Sequence, residues 1–135
     1  MDTYLENKNM IDGQVKPLSN IETNILEALY NIDRKDYTPE NFKDFSYSEK
    51  NIYLGNERYL LKPAITAKLL SALEVETLET VLIIGSATGY SAAIISKIAE
   101  TVICIEEDQD LITFSESIAS SSSMNNIVFI NNKLC

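Results

Sequence analysis

A short loop with a glycine at each end is the part of this sequence best suited to holding a ligand. It reads Gly85-Ser86-Ala87-Thr88-Gly89, contains two of the four glycines in the protein and follows an apolar, β-branched run. The first glycine permits a tight turn, and the second lets a helix begin close to the strand, with its N-terminal N–H groups facing an anionic or polar ligand. Glu106 ends the next apolar run, where a doubly wound domain places the carboxylate that accepts hydrogen bonds from ribose hydroxyls. Together these residues predict a site for a nucleoside-containing cofactor, whereas the loop alone would also fit a glycine turn without a ligand.

The spacing of the glycines selects among nucleoside cofactors. A nicotinamide site needs G-x-G-x-x-G, but Ala87 and Tyr90 stand at the second and third glycine positions. A P-loop is excluded because no Gly-Lys-Ser/Thr follows. The observed G-x-x-x-G fits the methyltransferase variant, in which the loop packs under the methionine part of S-adenosyl-L-methionine and the acidic strand end holds the ribose. We therefore predict this cofactor, with eight binding residues: Gly85, Ser86, Ala87, Thr88, Gly89, Tyr90, Glu106 and Tyr59.

Three side chains near these motifs have two interpretations each. Tyr59 could line the cofactor pocket or pack beneath the loop, and the Tyr90 ring could contribute to the site or only cap the start of the helix. Arg58 could recognise a carboxylate of the substrate or cofactor, although a lone exposed arginine is commonly solvated. The pattern assigns no catalytic residue.

The elements that would position the loop alternate along the second half of the chain. Strands are predicted at 80–84, 101–105 and 126–130, with helices at 89–99 and 108–122 between them. Residues 80–84 are nearly all apolar, as in a strand buried on both faces. This order predicts parallel strands joined by right-handed crossovers, which is an α/β, Rossmann-like architecture.

Upstream, the pattern predicts a short helix at 3–12, a capping box at 19–22 that starts a second helix, an irregular aromatic segment at 33–51, an extended stretch at 52–61 and a helix from Pro63.

Composition excludes several classes of function. Lys and Arg number 11 against 20 Asp and Glu, a net charge of −9 that would repel nucleic acid. No apolar run approaches the ~20 residues of a membrane span and no signal peptide is evident, so we expect a cytoplasmic protein without membrane association. The absence of histidine excludes His-based triads and His-ligated metals. Cys104 and Cys135 have neither a disulfide framework nor metal-ligand spacing, so we expect no metal site.

Residues 81–93 resemble the V-L-E-I-G-x-G-x-G-Y-x-A-A signature of protein-L-isoaspartate O-methyltransferases. Residues 9–15 are similar to that family's M-V-x-x-Q-[LIV] segment, and residues 32–39 are similar to its V-P-R-E-x-F-V-P segment. Tyr47 and Pro63 match a recurrent tyrosine and the proline that opens the helix before the first strand. The resemblance covers nearly the whole chain in the right order. It implies the class I methyltransferase fold, S-adenosyl-L-methionine as cofactor and methyl transfer to isoaspartyl carboxylates in damaged proteins, which makes a damaged protein or peptide the partner.

Three departures from the family pattern bear on activity. Ile83 stands where the family usually has an acidic residue near the methionine amino group, and Ala87 replaces the middle glycine. Leu61 stands where active members carry a serine implicated in catalysis. Because leucine has no polar side-chain atom, an alternative function arises: a non-catalytic cofactor-binding or interaction module derived from the same fold.

The resemblance also implies that this sequence is the N-terminal portion of the fold. A class I sheet has about seven strands, with the cofactor at the switch point of strand order, and three strands are predicted here. We expect an N-terminal helical and irregular extension at 1–62 and the first half of the Rossmann-like domain at 63–135. One wall of the cofactor crevice would then be absent, so we expect this chain alone to bind the cofactor weakly, or only after the edge of strand 81–84 is paired. That unpaired edge would invite self-association or pairing with a partner.

Overall fold

The computed structural model describes residues 3–134, which form two compact units. The first unit ends at Glu74 and the second begins at Val75. Within residues 3–134, no helix combines the length and the apolar character that crossing a membrane requires. The boundary at 62/63 stays a prediction based on the family resemblance.

Short helices and one hairpin build the first unit. Its elements are α1 (Thr3–Gln14), α2 (Thr23–Asn31), 3₁₀ helices at Arg34–Tyr37 and Glu40–Phe45, β1 (Ile52–Gly55), β2 (Arg58–Leu60) and α3 (Pro63–Ala72). The strands β1 and β2 are antiparallel. Pro63 opens α3, as predicted.

Buried polar side chains hold the irregular segment that follows α2. The Arg34 side chain is fully buried, and it donates hydrogen bonds to the carbonyls of Ser46 (2.9 Å) and Leu61 (2.8 Å). Asn7 donates to the carbonyls of Leu29 and Ile32, both at 3.2 Å. These bonds supply buried backbone carbonyls with side-chain donors, which explains why a segment without regular patterning is ordered.

The predicted capping box at residues 19–22 is wrong. The N-cap of α2 is Glu22, without a side-chain cap, and its N–H donates to the Ser71 hydroxyl at 3.1 Å. Asn20 has a φ of 63°, a left-handed conformation that turns the chain immediately before the helix. Ser19 therefore lies too early in the chain to cap it.

The second unit is a three-stranded parallel sheet with two crossover helices, as predicted. Its elements are β3 (Thr80–Ile84), α4 (Tyr90–Ser96), β4 (Thr101–Glu106), α5 (Gln109–Ser121) and β5 (Ile127–Asn131). The strand order is β3-β4-β5, and Ile83, Cys104 and Phe129 lie at one level of the register. Connections between parallel strands are right-handed as a rule, and in this strand order right-handed crossovers place both helices on the same face of the sheet.

The two faces of this sheet differ sharply in burial. On one face, Val102, Cys104 and Glu106 of the central strand are all 0% exposed. The opposite face carries Leu82, Ile84, Val128 and Ile130, whose exposed fractions lie between 40% and 60%; these four side chains define the open sheet face. The expectation that residues 80–84 are buried on both faces is therefore wrong, because alternate side chains of β3 are covered by no element within residues 3–134.

Candidate functional site

The loop after β3 owes its shape to three left-handed residues at alternate positions. Gly85, Ala87 and Gly89 have φ values of 77°, 53° and 90°. The Gly85 N–H donates to the Ile105 carbonyl at 2.7 Å, and the Gly89 N–H donates to the Ser86 carbonyl at 3.0 Å. Alternating backbone conformations of this kind form the concave turns that proteins use to surround anionic and polar groups. The conformation also explains why glycine would suit position 87, since an alanine with positive φ is strained by roughly 1 kcal/mol.

Glu106 lies directly against this loop and is fully buried. Its Oε1 accepts a hydrogen bond from the Ala87 N–H at 2.8 Å, and its Oε2 accepts one from the Asp108 N–H at 2.9 Å. The structure therefore brings the glycine loop and the acidic strand end together, as the sequence spacing suggested. It also shows a bracing role that the sequence did not reveal: one carboxylate fastens the loop to the segment that starts α5. Binding of ribose hydroxyls by Glu106 stays a prediction.

The Thr88 hydroxyl is a buried polar group within the loop. Thr88 is 1% exposed, and its Oγ1 is buried without a hydrogen-bond partner within the described part of the chain. An unpaired buried hydroxyl costs about 1–3 kcal/mol, and such groups in native structures usually have a functional or solvent partner. The loop therefore contains a polar atom with unused hydrogen-bonding capacity, which a bound molecule would reach only after a shift of the loop, because the atom has almost no exposed surface.

Ser115 of α5 is a site residue that the sequence analysis missed. Its hydroxyl lies 3.1 Å from the Ala87 carbonyl and 2.9 Å from the Leu111 carbonyl, so it can donate to either. A Cβ atom added to Gly89 would lie 3.1 Å from the Ser115 Oγ and 3.2 Å from its Cβ. The close approach of α5 thus explains why position 89 has no side chain. The only sequence signal was a small polar residue on the buried side of a predicted helix.

The remaining predicted residues divide between the two units. Ser86 and Tyr90 are buried within the loop and at the first position of α4, at 6% and 1% exposure. Tyr59 belongs to the first unit, where it is 53% exposed and its ring lies edge-on to Tyr53 with centroids 5.3 Å apart. A part for Tyr59 in cofactor binding stays a prediction.

Neither Cys104 nor Leu61 offers a nucleophile or an acid–base group. Burial raises the pKa of the Cys104 thiol to about 11, against a smaller opposing effect of the Ser86 hydroxyl, so the thiol is protonated at neutral pH. Leu61 is 39% exposed, and its backbone carbonyl accepts hydrogen bonds from Arg34 and from Thr66. Across residues 3–134, no group of three or more Cys, Asp or Glu side chains could hold a metal ion.

A parallel α/β sheet whose first strand ends in a glycine turn, braced by an acidic residue at the end of the second, has the Rossmann-like architecture that binds nucleoside cofactors. The sequence profile of the protein-L-isoaspartate (D-aspartate) O-methyltransferase family matches residues 5–132, and the chain belongs to this family.

Two curated relatives illustrate the sequence similarity. A protein-L-isoaspartate O-methyltransferase of Helicobacter pylori is 33% identical over 92 residues, which is 68% of this chain and 44% of the relative. The corresponding Roseiflexus protein is 30% identical over 106 residues, or 78% of this chain and 48% of the relative. The chain thus spans about half the length of the curated relatives it matches.

Two solved structures share the fold at low sequence identity. A protein-L-isoaspartate O-methyltransferase superposes with a TM-score of 0.79 at 18% identity, covering 94% of this chain and 42% of that one. A Plasmodium falciparum protein described as a member of the same family, in complex with S-adenosyl-L-homocysteine, gives a TM-score of 0.73 at 18% identity over 98% of this chain and 63% of that one. The predicted fold class is therefore confirmed.

Proposed function

We propose that this chain is the cofactor-binding portion of an S-adenosyl-L-methionine-dependent methyltransferase that acts on isoaspartyl carboxylates of damaged proteins in the cytoplasm. The observation that carries the proposal is the glycine loop, which is braced by the buried Glu106 and contains the Thr88 hydroxyl, a group that no residue between 3 and 134 pairs. Family membership supplies the reaction class. The acceptor is a protein rather than a nucleic acid, in keeping with the net charge of −9.

Two features of the loop region favour binding of the proposed cofactor, and two other features weaken it. The concave turn and the buried Thr88 hydroxyl offer polar contacts to an amino-acid and ribose moiety, and the Plasmodium relative binds S-adenosyl-L-homocysteine. Ala87 adds a methyl group to the turn, and Ile83 offers no carboxylate to an ammonium group. The fit is therefore good enough for binding and predicts an affinity below that of a site with both features.

Methyl transfer asks little acid–base chemistry of this chain. The bound cofactor would supply a methyl group activated by a sulfonium, and an isoaspartyl carboxylate is already ionised at neutral pH. Holding the two in line is then the main contribution, since orientation alone can supply a large share of a rate enhancement. We assign the loop residues to binding and no side chain to catalysis, because Leu61 has no polar side-chain atom.

Two measurements on the same preparation test this proposal. Calorimetry with S-adenosyl-L-homocysteine should show weak but saturable one-to-one binding. Transfer of a labelled methyl group should be measured with an isoaspartyl peptide and with its aspartyl counterpart as control. Binding and transfer to the isoaspartyl peptide alone support the proposal, whereas absence of any binding to the chain overturns it.

A second candidate function, a non-catalytic module that binds the cofactor or a partner protein, is favoured by one observation. Leu61 leaves the family's catalytic serine position without a hydrogen-bonding side chain. Saturable cofactor binding without methyl transfer, by this chain and by any longer product of its gene, would favour this candidate over the enzyme.

Replacing Thr88 with valine should change stability and cofactor affinity in opposite directions. Valine keeps the shape of threonine and removes the unpaired hydroxyl, so the free energy of unfolding should rise by about 1 kcal/mol. The same change removes a ligand contact and should weaken binding of S-adenosyl-L-homocysteine several-fold. Urea unfolding and calorimetry measure the two effects. If binding is unchanged, the Thr88 hydroxyl does not face the cofactor.

We further propose that the open sheet face, together with the adjacent edge of β3, mediates self-association of this chain. Apolar side chains exposed together, beside an unpaired strand edge, favour association. Leu82→Lys should therefore shift the sedimentation equilibrium toward monomer. Ser120→Lys adds the same charge at an exposed position of α5 and should leave the equilibrium unchanged. A wild-type chain that is monomeric at all concentrations would contradict the proposal.

A further inference from the structure

A second concave feature lies in the first unit, formed by the 3₁₀ helix at Glu40–Phe45 and the β1–β2 hairpin. It encloses about 270 Å³ and is lined chiefly by Phe42, Phe45, Lys50, Ile52, Tyr53 and Tyr59. We call it the aromatic pocket. Its volume lies just below the ~300–1,000 Å³ typical of small-molecule sites, and it suits one or two amino-acid side chains.

The exposed aromatic side chains of this protein are concentrated at the aromatic pocket. Four aromatic residues are exposed in the described part of the chain, and three of them line the pocket: Phe45 at 58%, Tyr53 at 44% and Tyr59 at 53%. Scattered exposed aromatics need no explanation, but a cluster around one cavity marks a binding surface. Aromatic rings also dominate the energetics of protein contacts, because each buries a large area at a small entropic cost.

The hairpin holds two of these rings in fixed positions. Tyr53 and Tyr59 are cross-strand partners, so both side chains project from the same face of the β1–β2 ribbon. Asn56 and Glu57, which connect the strands, have φ values of 52° and 60°, as in the tight turns that match the twist of a hairpin. The rings are therefore preorganised, which lowers the entropic cost of binding.

The charge of the aromatic pocket indicates which polar group a ligand should carry beside its apolar group. Lys50 is exposed and is the single charged side chain among the lining residues; no acidic residue lines the pocket. On a chain with a net charge of −9, most of the surface repels carboxylates. An apolar ligand group with a carboxylate nearby would meet favourable contacts at this place.

We propose that the aromatic pocket binds an apolar side chain, aromatic for preference, of a peptide or protein substrate, and that Lys50 pairs with a carboxylate one or two residues away. This inference rests on the proposed function, because an isoaspartyl carboxylate is the acceptor proposed for this family member. Residues of an extended peptide are about 3.3 Å apart, so a side chain in the pocket leaves a neighbouring carboxylate within reach of a lysine. The aromatic pocket then sets a preference for the residues that flank the damaged site.

Short fluorescent peptides, used without cofactor, test the pocket by itself. The probes are Phe-Asp-Gly, Ala-Asp-Gly and Phe-Asn-Gly peptides with blocked ends, together with Phe-isoAsp-Gly, and binding is followed by anisotropy. The intact chain should bind the two Phe-acid peptides about tenfold more tightly than the Ala peptide, as expected for partial burial of one aromatic ring. It should also prefer them over the Phe-Asn peptide.

Variants assign these preferences to the pocket. Tyr53→Ala should remove the preference for Phe, and Phe45→Ser, in a different element, should do the same even if the first variant disturbs the hairpin. Lys50→Gln should remove the preference for the acid over the amide. The controls are Tyr4→Ala and Lys68→Gln, which alter an exposed aromatic and an exposed lysine outside the pocket and should leave both preferences intact.

The outcomes separate this proposal from the proposed function. Equal binding of all peptides, or preferences that persist in the pocket variants, would overturn the aromatic pocket as a substrate site whether or not methyl transfer occurs. Self-association that Tyr53→Ala abolishes would show that a second copy fills the pocket, which also overturns it. Peptide preference without methyl transfer would support the pocket and count against the enzyme.

Discussion

Glu106→Gln should destabilise the second unit by about 2–3 kcal/mol and weaken binding of S-adenosyl-L-homocysteine by at least about tenfold. Both carboxylate oxygens accept backbone N–H groups, from Ala87 and from Asp108, in a fully buried position. A glutamine has one oxygen, so its NH₂ group must face one of these two donors. The loop then loses its brace, and a ligand would have to order it on binding. Urea unfolding gives the stability and calorimetry gives the affinity.

Glu107→Gln is the matched control for this change. Glu107 is the adjacent carboxylate and is exposed, so the same substitution there should alter the free energy of unfolding by no more than about 0.5 kcal/mol. Equal stability of the Glu106 and Glu107 variants would show that the buried carboxylate is not a brace. A loss of stability at position 106 with unchanged cofactor affinity would place the cofactor elsewhere.

Gly89→Ala should cost about 2–5 kcal/mol of stability. One part arises because Gly89 has a φ of 90°, where an L side chain is strained by roughly 1–2 kcal/mol. The other part arises because the new Cβ would lie 3.1 Å from the Ser115 Oγ and 3.2 Å from its Cβ, and overpacking of this kind typically costs about 1–3 kcal/mol. Thermal unfolding followed by circular dichroism measures the change.

Gly13→Ala provides the comparison for this glycine. Gly13 lies in α1, has no atom within 4 Å of the position of an added Cβ and shows no positive φ. Alanine there should raise the melting temperature slightly, since alanine favours a helix over glycine by up to about 1 kcal/mol. If the two variants melted alike, the contact between the loop and α5 would be wrong.

The second unit could be predicted well because its signals are local. A β-branched run followed by glycine at both ends of a five-residue loop marks a strand, a turn and a helix without reference to the rest of the chain. The acidic residue at the end of the next strand completes the pattern at a spacing that parallel topology requires. The fold class and the meeting of the loop with Glu106 followed from these features.

The features that the sequence did not reveal depend on residues far apart in the chain. Ser115 and Ala87 are 28 residues apart in the sequence, and Arg34 and Leu61 are 27 apart. Contacts over such separations produce no periodic pattern of residue types that the sequence could show. The start of α2 was misplaced because one left-handed residue, Asn20, moved the helix boundary beyond the predicted cap. Burial of Leu82 and Ile84 was overestimated because apolar composition shows what a strand could bury and not what covers it.

The carboxylate of Glu106 has a dynamic consequence. Its two oxygens end on amide groups 21 residues apart in the chain, one in the glycine turn and one at the entry to α5. Opening the turn therefore exposes a buried anion and releases the first residues of α5 at the same time, so the two segments share one local unfolding event. A molecule that binds against the turn would slow this shared unfolding event. It would thereby make local unfolding rarer at the end of β4 and at the beginning of α5, without contacting either segment.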